Sequence, residues 1–242
     1  LSLHSYPYSL VKILRSLLIV LSLAVPCSGM AQEEEHYTKE IGIALGGNFM
    51  LNDVNSTPYG DTRFSGGLLL RFLLNPRMAV KVGASYNNIK GETSGVADFY
   101  PADPSTSGNE RLEKAFSGGI TDLSATYELN FLPYGYHAGY QGYKRITPFI
   151  QFGLGLTYSD AGKAFTMNIP LGFGLKWKVG PRVNMAIDWT MHLTPSDKLD
   201  DIKGPKGIGS KMFRNADHYG RTMLTLTYDF SKRCPACQRA ER

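Results

Sequence analysis

The segment from Ile146 to Tyr158 alternates between apolar side chains and side chains that are mostly small or polar. Ile150 and Phe152 belong to the apolar series, and Gln151 lies between them. A period of two puts alternate side chains on opposite faces of an extended strand. The segment has thirteen residues, whereas strands of soluble proteins usually have about five or six. A tilted strand needs roughly nine to eleven residues to cross a bilayer, so the pattern predicts a membrane-spanning β-strand.

The same alternation recurs along the chain. The predicted strands comprise residues 41–46, 65–72, 78–86, 122–131, 146–158, 167–177, 183–192 and 220–230. Eight strands close without leaving an unpaired edge in lipid, where each open backbone group would be costly. The pattern therefore predicts an all-β protein, an eight-stranded antiparallel up-and-down transmembrane β-barrel with a plugged polar lumen.

The connections orient this barrel, because they alternate in length. Residues 73–77 and 180–182 are tight, whereas residues 88–114 and 194–217 are long. Outer-membrane barrels have short periplasmic turns and longer external loops. We therefore expect a bacterial outer-membrane location with the N- and C-termini in the periplasm. Two connections break the pattern, since the external turn at 159–163 is short and the periplasmic segment at 132–144 is long.

Two prolines fall inside predicted strands. Proline cannot donate to the ladder and is normally found at first positions, edges or bulges. We expect Pro148 near a strand start and Pro170 at a β-bulge.

The N-terminus has the features of an export signal. Lys12 and Arg15 precede an apolar core at residues 16–25, and small residues surround Ala31. This order is typical of a secretory signal peptide. We predict cleavage after Ala31, which gives a signal peptide at 1–31, a barrel domain at 32–230 and a periplasmic tail at 231–242.

The net charge argues against a nucleic-acid partner. It is +5, and removal of Lys12 and Arg15 with the signal lowers it to +3, which is too mild for nucleic-acid binding. A soluble β-sandwich or lipocalin-like barrel is the alternative fold. The strand lengths and the export signal disfavour it.

Charged residues fall on the predicted inner face. They are Arg71, Lys81, Asp122, Glu128, Lys176, Asp188, His192 and Arg221. An eight-stranded barrel is just wide enough for side chains to fill, and buried charges need partners. This pattern favours an internal charge network that plugs the barrel over an ion or proton path.

Enzyme chemistry has little support in the sequence. There is no glycine-rich phosphate loop, nucleophile elbow or metal-spaced His/Cys set, so we predict no catalytic, cofactor-binding or metal-binding residues, no cofactor and no small-molecule substrate. His192 and His218 flank the last long loop, which leaves a lipid-modifying enzyme as a minor alternative.

The tail carries a Cys-x-x-Cys motif, Cys234 and Cys237. A redox pair, half of a zinc site and a local disulfide are the three interpretations. An oxidised pair is favoured in an oxidising compartment.

Basic residues gather at the end of the short turns. They are Arg77, Lys144, Arg145, Lys178, Arg182, Lys232, Arg233, Arg239 and Arg242. They form either an ordinary solvated surface or a docking face for a periplasmic partner.

Several motifs are similar to those of one family. They are Phe-Leu-Pro-Tyr at 131–134, Ile-Thr-Pro-Phe at 146–149, Ile-Pro-Leu-Gly-Phe-Gly-Leu-Lys at 169–176, Gly-Pro-Arg at 180–182, Leu-Asp-Asp at 199–201 and Leu-Thr-Leu-Thr-Tyr at 224–228, followed by the Cys tail. Over roughly residues 38–238 the chain resembles PorG, the outer-membrane component of the type IX secretion system, within a family of small outer-membrane barrels.

The resemblance implies a non-enzymatic barrel that contacts outer-membrane lipid and attaches to a periplasmic ring of PorK and PorN type. The ring belongs to a machine that exports proteins with a C-terminal sorting domain. Residues 132–144 and the tail are the candidate contact regions. The candidate partner face comprises Tyr134, Tyr136, Lys144, Arg145 and Arg182. A stand-alone structural or adhesive barrel is the alternative.

Overall fold

Eight long strands form one closed barrel in a computed structural model, which describes residues 37–52, 55, 57–93, 115–136, 142–196, 198–200 and 216–232. The strands are β1 (Tyr37–Leu51), β2 (Arg63–Asn75), β3 (Met78–Glu92), β4 (Ala115–Asn130), β5 (Ile146–Ser159), β6 (Ala164–Lys178), β7 (Val183–Leu193) and β8 (His218–Lys232). Each strand pairs antiparallel with its sequence neighbours, and β1 pairs with β8. The predicted fold class is therefore confirmed.

The chain divides into two units, Leu1–Glu35 and His36–Arg242, and the barrel belongs to the second. The predicted signal peptide at 1–31 and residues 233–242 of the tail lie outside the described residues. Among the described residues, no helix is long and apolar enough to cross a membrane.

The strands are longer than their alternating segments, because ladder hydrogen bonds continue beyond the apolar pattern. Glu92 of β3 still pairs with Ala115 of β4, so the predicted loop at 88–114 loses residues at its start. The strand predicted at 122–131 instead begins at Ala115 and ends at Asn130. Pairing between strands, and not hydrophobic alternation alone, sets the strand ends.

The barrel is apolar outside and polar inside. Phe152 is 50% exposed on the outer wall, whereas its neighbour on the inner face, Gln151, is 2% exposed. Large apolar side chains cover the outside of every strand, and polar or charged side chains fill the inside. A barrel surrounded by water would carry its apolar side chains inside, because apolar surface exposed to water costs free energy. The wall is that of a transmembrane barrel, and the soluble alternative is wrong.

The two prolines behave differently. Pro148 is the third residue of β5, near the strand start as predicted. The bulge predicted at Pro170 is wrong, since Pro170 stays in register with His192 of β7. The pairs on either side of it with β5, Phe152–Leu171 and Gly155–Asn168, also keep one register. Pro170 lacks an N–H and weakens the ladder locally, but no extra residue enters the strand.

The barrel has a turn end and a loop end. The turn end is where β1 begins and where β2, β4 and β6 finish. The loop end is where β1, β3, β5 and β7 finish. Tyr37 pairs with Lys232, so the first and last strands meet at the turn end. The side of the membrane that each end faces stays a prediction.

A charge on the outer wall should destabilise the barrel according to its depth. Leu154 lies in the middle of β5, and Phe165, which is 68% exposed, lies at the loop end of β6. We expect Leu154→Arg to cost about 2–4 kcal/mol and Phe165→Arg about 0–1 kcal/mol, since only the first places a cation near the bilayer midplane. Urea unfolding in lipid vesicles measures both. Equal costs would contradict this placement of the wall.

Candidate functional site

Glu128 of β4 is the centre of the charge network in the lumen. Its carboxylate lies 2.7 Å from Arg71 Nε of β2 and 2.6 Å from Lys176 Nζ of β6. Lys81 Nζ of β3 lies 3.4 Å away. All four side chains are buried. One carboxylate is thus shared by three cations from three strands, and the cations need it because a buried unpaired charge is costly.

Glu40 of β1 supplies a second carboxylate to this network. It accepts a hydrogen bond from Arg71 Nη1 and another, of 2.9 Å, from Thr227 Oγ1. Glu40 is not among the predicted lumen residues, because the first predicted strand starts at residue 41. The signal was present, since Glu40 keeps the inward parity of Gly42 and Ala44.

Gln151 carries the network across the lumen to β7. Its Oε1 accepts from Lys81 Nζ at 2.5 Å, and its Nε2 donates to Asp188 Oδ2 at 3.2 Å. Thr190 Oγ1 also donates to Asp188 Oδ2, at 3.1 Å. The structure therefore brings Arg71, Lys81, Glu128 and Lys176 into direct contact and joins Asp188 to them through an amide.

Asp122 and Arg221, the other two predicted lumen charges, lie nearer the loop end in a separate cluster. Arg221 Nη1 is 3.6 Å from Asp122 Oδ1. Asp122 Oδ2 accepts hydrogen bonds from Asn168 Nδ2 at 2.7 Å and from Tyr219 Oη at 2.9 Å. The Tyr219 ring stacks on the His192 ring with centroids 4.4 Å apart.

His192 is part of the same buried cluster, with Nδ1 3.7 Å from Asp122 Oδ2. Its ring is completely buried, and Nδ1 contacts Asn168 Oδ1 at 3.1 Å. The hydroxyl group of Thr157 belongs to the same cluster and lies 3.1 Å from Tyr219 Oη. In the described part of the chain, no group of three acidic, His or Cys side chains is placed to hold a metal ion.

The loop end of the lumen is filled by Leu199, which is fully buried against Met50, Ile120 and Tyr219. The backbone of Leu199 is held on both sides, because its N–H donates to Asp217 Oδ2 at 2.8 Å and its carbonyl accepts from Ser159 Oγ. The next residue, Asp200, accepts from Asn52 Nδ2 at 2.7 Å. An apolar layer thus covers the polar clusters.

The turn end is closed by Tyr134, in the segment that joins β4 to β5. Tyr134 Oη donates to Asn184 Oδ1 at 2.9 Å, and its N–H donates to the Pro76 carbonyl at 2.9 Å. Burial raises the pKa of Tyr134 well above its ordinary range. This phenol therefore stays protonated where it occupies the turn end of the lumen.

Lys178 also belongs to the interior. It is predicted to lie among the basic residues of the turn-end surface, but it is buried and its Nζ lies 2.6 Å from Asp229 Oδ2. It shares the inward parity of Lys176, which was the overlooked signal. Asn184 Nδ2 donates to the other oxygen of Asp229 at 2.6 Å.

The residues of the predicted partner face lie in three places. Tyr134 points into the lumen, whereas Lys144 and Arg145 are exposed. Arg145 stacks over Tyr136 at 4.0 Å from the ring centroid. Arg182 lies at the β6–β7 turn, where Nε donates to Tyr37 Oη at 2.6 Å and Nη1 donates to Tyr228 Oη at 3.1 Å. Cys234 and Cys237 lie outside the described residues.

Fold and lumen together define a small transmembrane β-barrel whose interior is filled with paired charges. The chain belongs to the family described as a domain of unknown function, DUF6089, whose model matches residues 14–239. No curated protein sequence matches the chain.

Solved structures of small barrels are similar to it at low sequence identity. Neisserial surface protein A is 12% identical, with 79% of this chain and 97% of that chain covered and a TM-score of 0.44. Ail of Yersinia pestis, in complex with the heparin analogue sucrose octasulfate, is 14% identical, with 82% and 100% covered and a TM-score of 0.41. The N-terminal barrel domain of Pseudomonas aeruginosa OprF is 11% identical, with 81% and 100% covered and a TM-score of 0.41.

Removal of the shared carboxylate of Glu128 should destabilise the folded barrel. We expect Glu128→Gln to cost about 3–5 kcal/mol, because Arg71, Lys81 and Lys176 lose their common counter-charge. Asp188→Asn is the matched control, since Asp188 accepts from neutral groups in its contacts with Gln151 and Thr190. We expect a cost of about 1–3 kcal/mol there. Urea titrations in vesicles compare the two, and equal costs would contradict the central role of Glu128.

The filled lumen should not conduct ions. We expect no large, stable conductance steps from the full chain in a planar bilayer, because porin-type channels need about sixteen strands. The Leu199→Ala variant should also show no conductance steps, since the Glu128 network still blocks the lumen on the turn-end side of residue 199. Stable channels in either protein would show that the interior opens.

Proposed function

We propose that this protein is a closed outer-membrane barrel that anchors a periplasmic assembly, as a non-enzymatic component of a protein secretion machine of the type IX kind. The filled lumen is the observation that carries this proposal. Paired charges occupy its middle, Leu199 fills its loop end and Tyr134 its turn end. A barrel of this kind acts through its ends and its wall, and not as a conduit.

The charge of the turn end supports a docking role there. The outward-facing or exposed charged side chains at the described turn end are Lys39, Arg77, Lys144, Arg145 and Arg182. The two acids there, Glu40 and Asp229, are buried inside the lumen and paired. The loop end is mixed, with Asp61, Arg63, Lys90, Glu92, Asp160 and Lys163 exposed. Charge complementarity favours an acidic partner surface at the turn end.

Lys144 and Arg145 are the residues best placed for this contact. Lys144 N–H donates to the Pro133 carbonyl at 2.7 Å, and its own carbonyl accepts from Gly135 N–H at 3.1 Å. The neighbouring Tyr143 is buried and holds the segment against the barrel. A fixed segment loses little entropy on binding, so these two cations form a preorganised surface.

The resemblance to PorG supports a particular partner. It implies a periplasmic ring of PorK and PorN type, and the turn end is the end that the connection lengths assign to the periplasm. The partner is therefore a ring subunit with an acidic face.

Charge reversal tests this proposal. We expect the double variant Lys144→Glu and Arg145→Glu to lower recovery of ring subunits from detergent extracts at least about tenfold, because like charges then face each other. The matched control is the loop-end pair Lys90→Glu and Lys163→Glu, which should retain recovery. The readouts are affinity capture of the tagged barrel and secretion of exported substrates.

Two outcomes would overturn the proposal. One is that the wild-type barrel captures no ring subunit and that its deletion leaves secretion intact, which would indicate a stand-alone structural or adhesive barrel. The other is an altered lipid A profile on deletion, which would indicate a lipid-modifying enzyme.

A further inference from the structure

The outer wall carries a groove across β6, β7 and β8 that the proposed docking role does not use. It has a volume of about 600 Å³, and its lining includes Tyr59, Phe173, Leu175, Ile187, Trp189 and Thr222. These residues come from β6, β7, β8 and the segment between β1 and β2. The volume lies within the roughly 300–1,000 Å³ of small-molecule sites.

Tyr59 forms one side of the groove because its segment folds down over the outside of the barrel. Its hydroxyl is 2.7 Å from Thr222 Oγ1 on the outer face of β8. Its ring packs on Phe49 with centroids 4.5 Å apart. Phe49 in turn covers Gly220, where any Cβ would collide with the Phe49 ring. The absence of a side chain at Gly220 therefore lets both aromatic rings lie close to the wall.

The backbone of Tyr59 is strained to reach this position. Its φ is 63°, in the left-handed region that residues other than glycine seldom adopt. Strain of this kind persists only where surrounding contacts enforce it, and it is concentrated at functional sites. Thr62 Oγ1 donates to the Tyr59 carbonyl at 3.0 Å and Gly60 N–H to the Thr57 carbonyl at 3.2 Å, so the segment is held by its own turn.

The opposite side of the groove is an aromatic pair. Phe173 and Trp189 lie with centroids 5.5 Å apart, and Leu175 and Ile187 continue the apolar surface toward the turn end. Asp188 is buried and accepts from Gln151 and Thr190 inside the lumen. The groove thus presents apolar side chains along its length, with hydroxyl groups only where Tyr59 meets Thr222.

We propose that this groove binds one acyl chain of a membrane lipid, between Tyr59 and the Phe173–Trp189 pair. The wall faces hydrocarbon, so the chemistry available along it is that of methylene chains. A second copy of the barrel is the competing occupant of an apolar lipid-facing groove. The strained Tyr59 closes one side of the site.

The two tryptophans of the chain give a matched pair of reporters. Trp189 lines the groove, whereas Trp177 is half exposed on the outer wall at the turn end. The full chain carrying Trp177→Phe reports from the groove alone, and the chain carrying Trp189→Phe reports from ordinary wall. A phospholipid with brominated acyl chains, titrated into the detergent-solubilised barrel, quenches each fluorophore on contact.

We expect Trp189 to be quenched saturably at about one lipid per barrel, and Trp177 only at higher lipid ratios. Tyr59→Ala should raise the lipid concentration for half-quenching of Trp189 about fivefold or more and leave Trp177 unchanged, because an aromatic contact is lost. Tyr59→Phe should retain most of the binding. Tyr86→Ala removes another half-exposed tyrosine of the outer wall and should change neither reporter.

Three results would overturn the proposal. Equal half-quenching concentrations for Trp189 and Trp177 would mean non-specific annular lipid. An unchanged Trp189 titration in a folded Tyr59→Ala barrel, judged by its heat-dependent gel mobility, would remove Tyr59 from the site. Protection of Trp189 from quenching in a protein that sediments as a dimer would mean that a second copy covers the groove.

Discussion

The contact of Glu128 with Arg71, Lys81 and Lys176 is the interaction on which the rest of this barrel depends. Hydrocarbon surrounds the wall, so every polar group turned inward must find its partner inside. Three cations from β2, β3 and β6 converge on one carboxylate of β4, and Glu40 of β1 binds the same arginine. These ion pairs link β4 to β2 and β6, two strands that have no backbone pairing with β4. They also fill the space through which ions would otherwise pass.

A filled lumen moves the chemistry of the molecule to its surfaces. The two ends are closed in different ways, since Leu199 covers the loop end with an apolar layer and Tyr134 covers the turn end with a hydrogen-bonded ring. Lys178 and Asp229 pair just inside Tyr134. The cations that remain outside at the turn end have no exposed acid beside them in the described residues there. This asymmetry of charge favours a partner at one end only.

The wall is asymmetric too. Tyr59, between β1 and β2, lies on the outside of the barrel against Phe49 and Thr222. Leu199, after β7, lies inside the barrel. One apolar residue thus closes the lumen, and one aromatic residue shapes the lipid-facing surface. Both depend on small residues or hydroxyl groups that lie on other strands, such as Gly220 and Ser159. The loop end therefore contributes to the interior and to the exterior of the same barrel.

Period-two alternation by itself determined the number of strands, their faces and the inversion of polar and apolar sides, because side-chain direction in a strand follows from residue parity alone. Parity also placed Arg71, Glu128 and Lys176 on the inner face. Only the tertiary structure decided which charges meet, because partners such as Glu40 and Arg71 are brought together by the register between strands. It also showed that Lys178 lies inside the barrel, paired with Asp229. Strand β4 begins at Ala115, since ladder pairing continues where the apolar pattern has stopped. The groove beside Tyr59 was beyond sequence reasoning, because a contact between residues 59 and 222 depends on barrel closure and on how one loop folds over the wall.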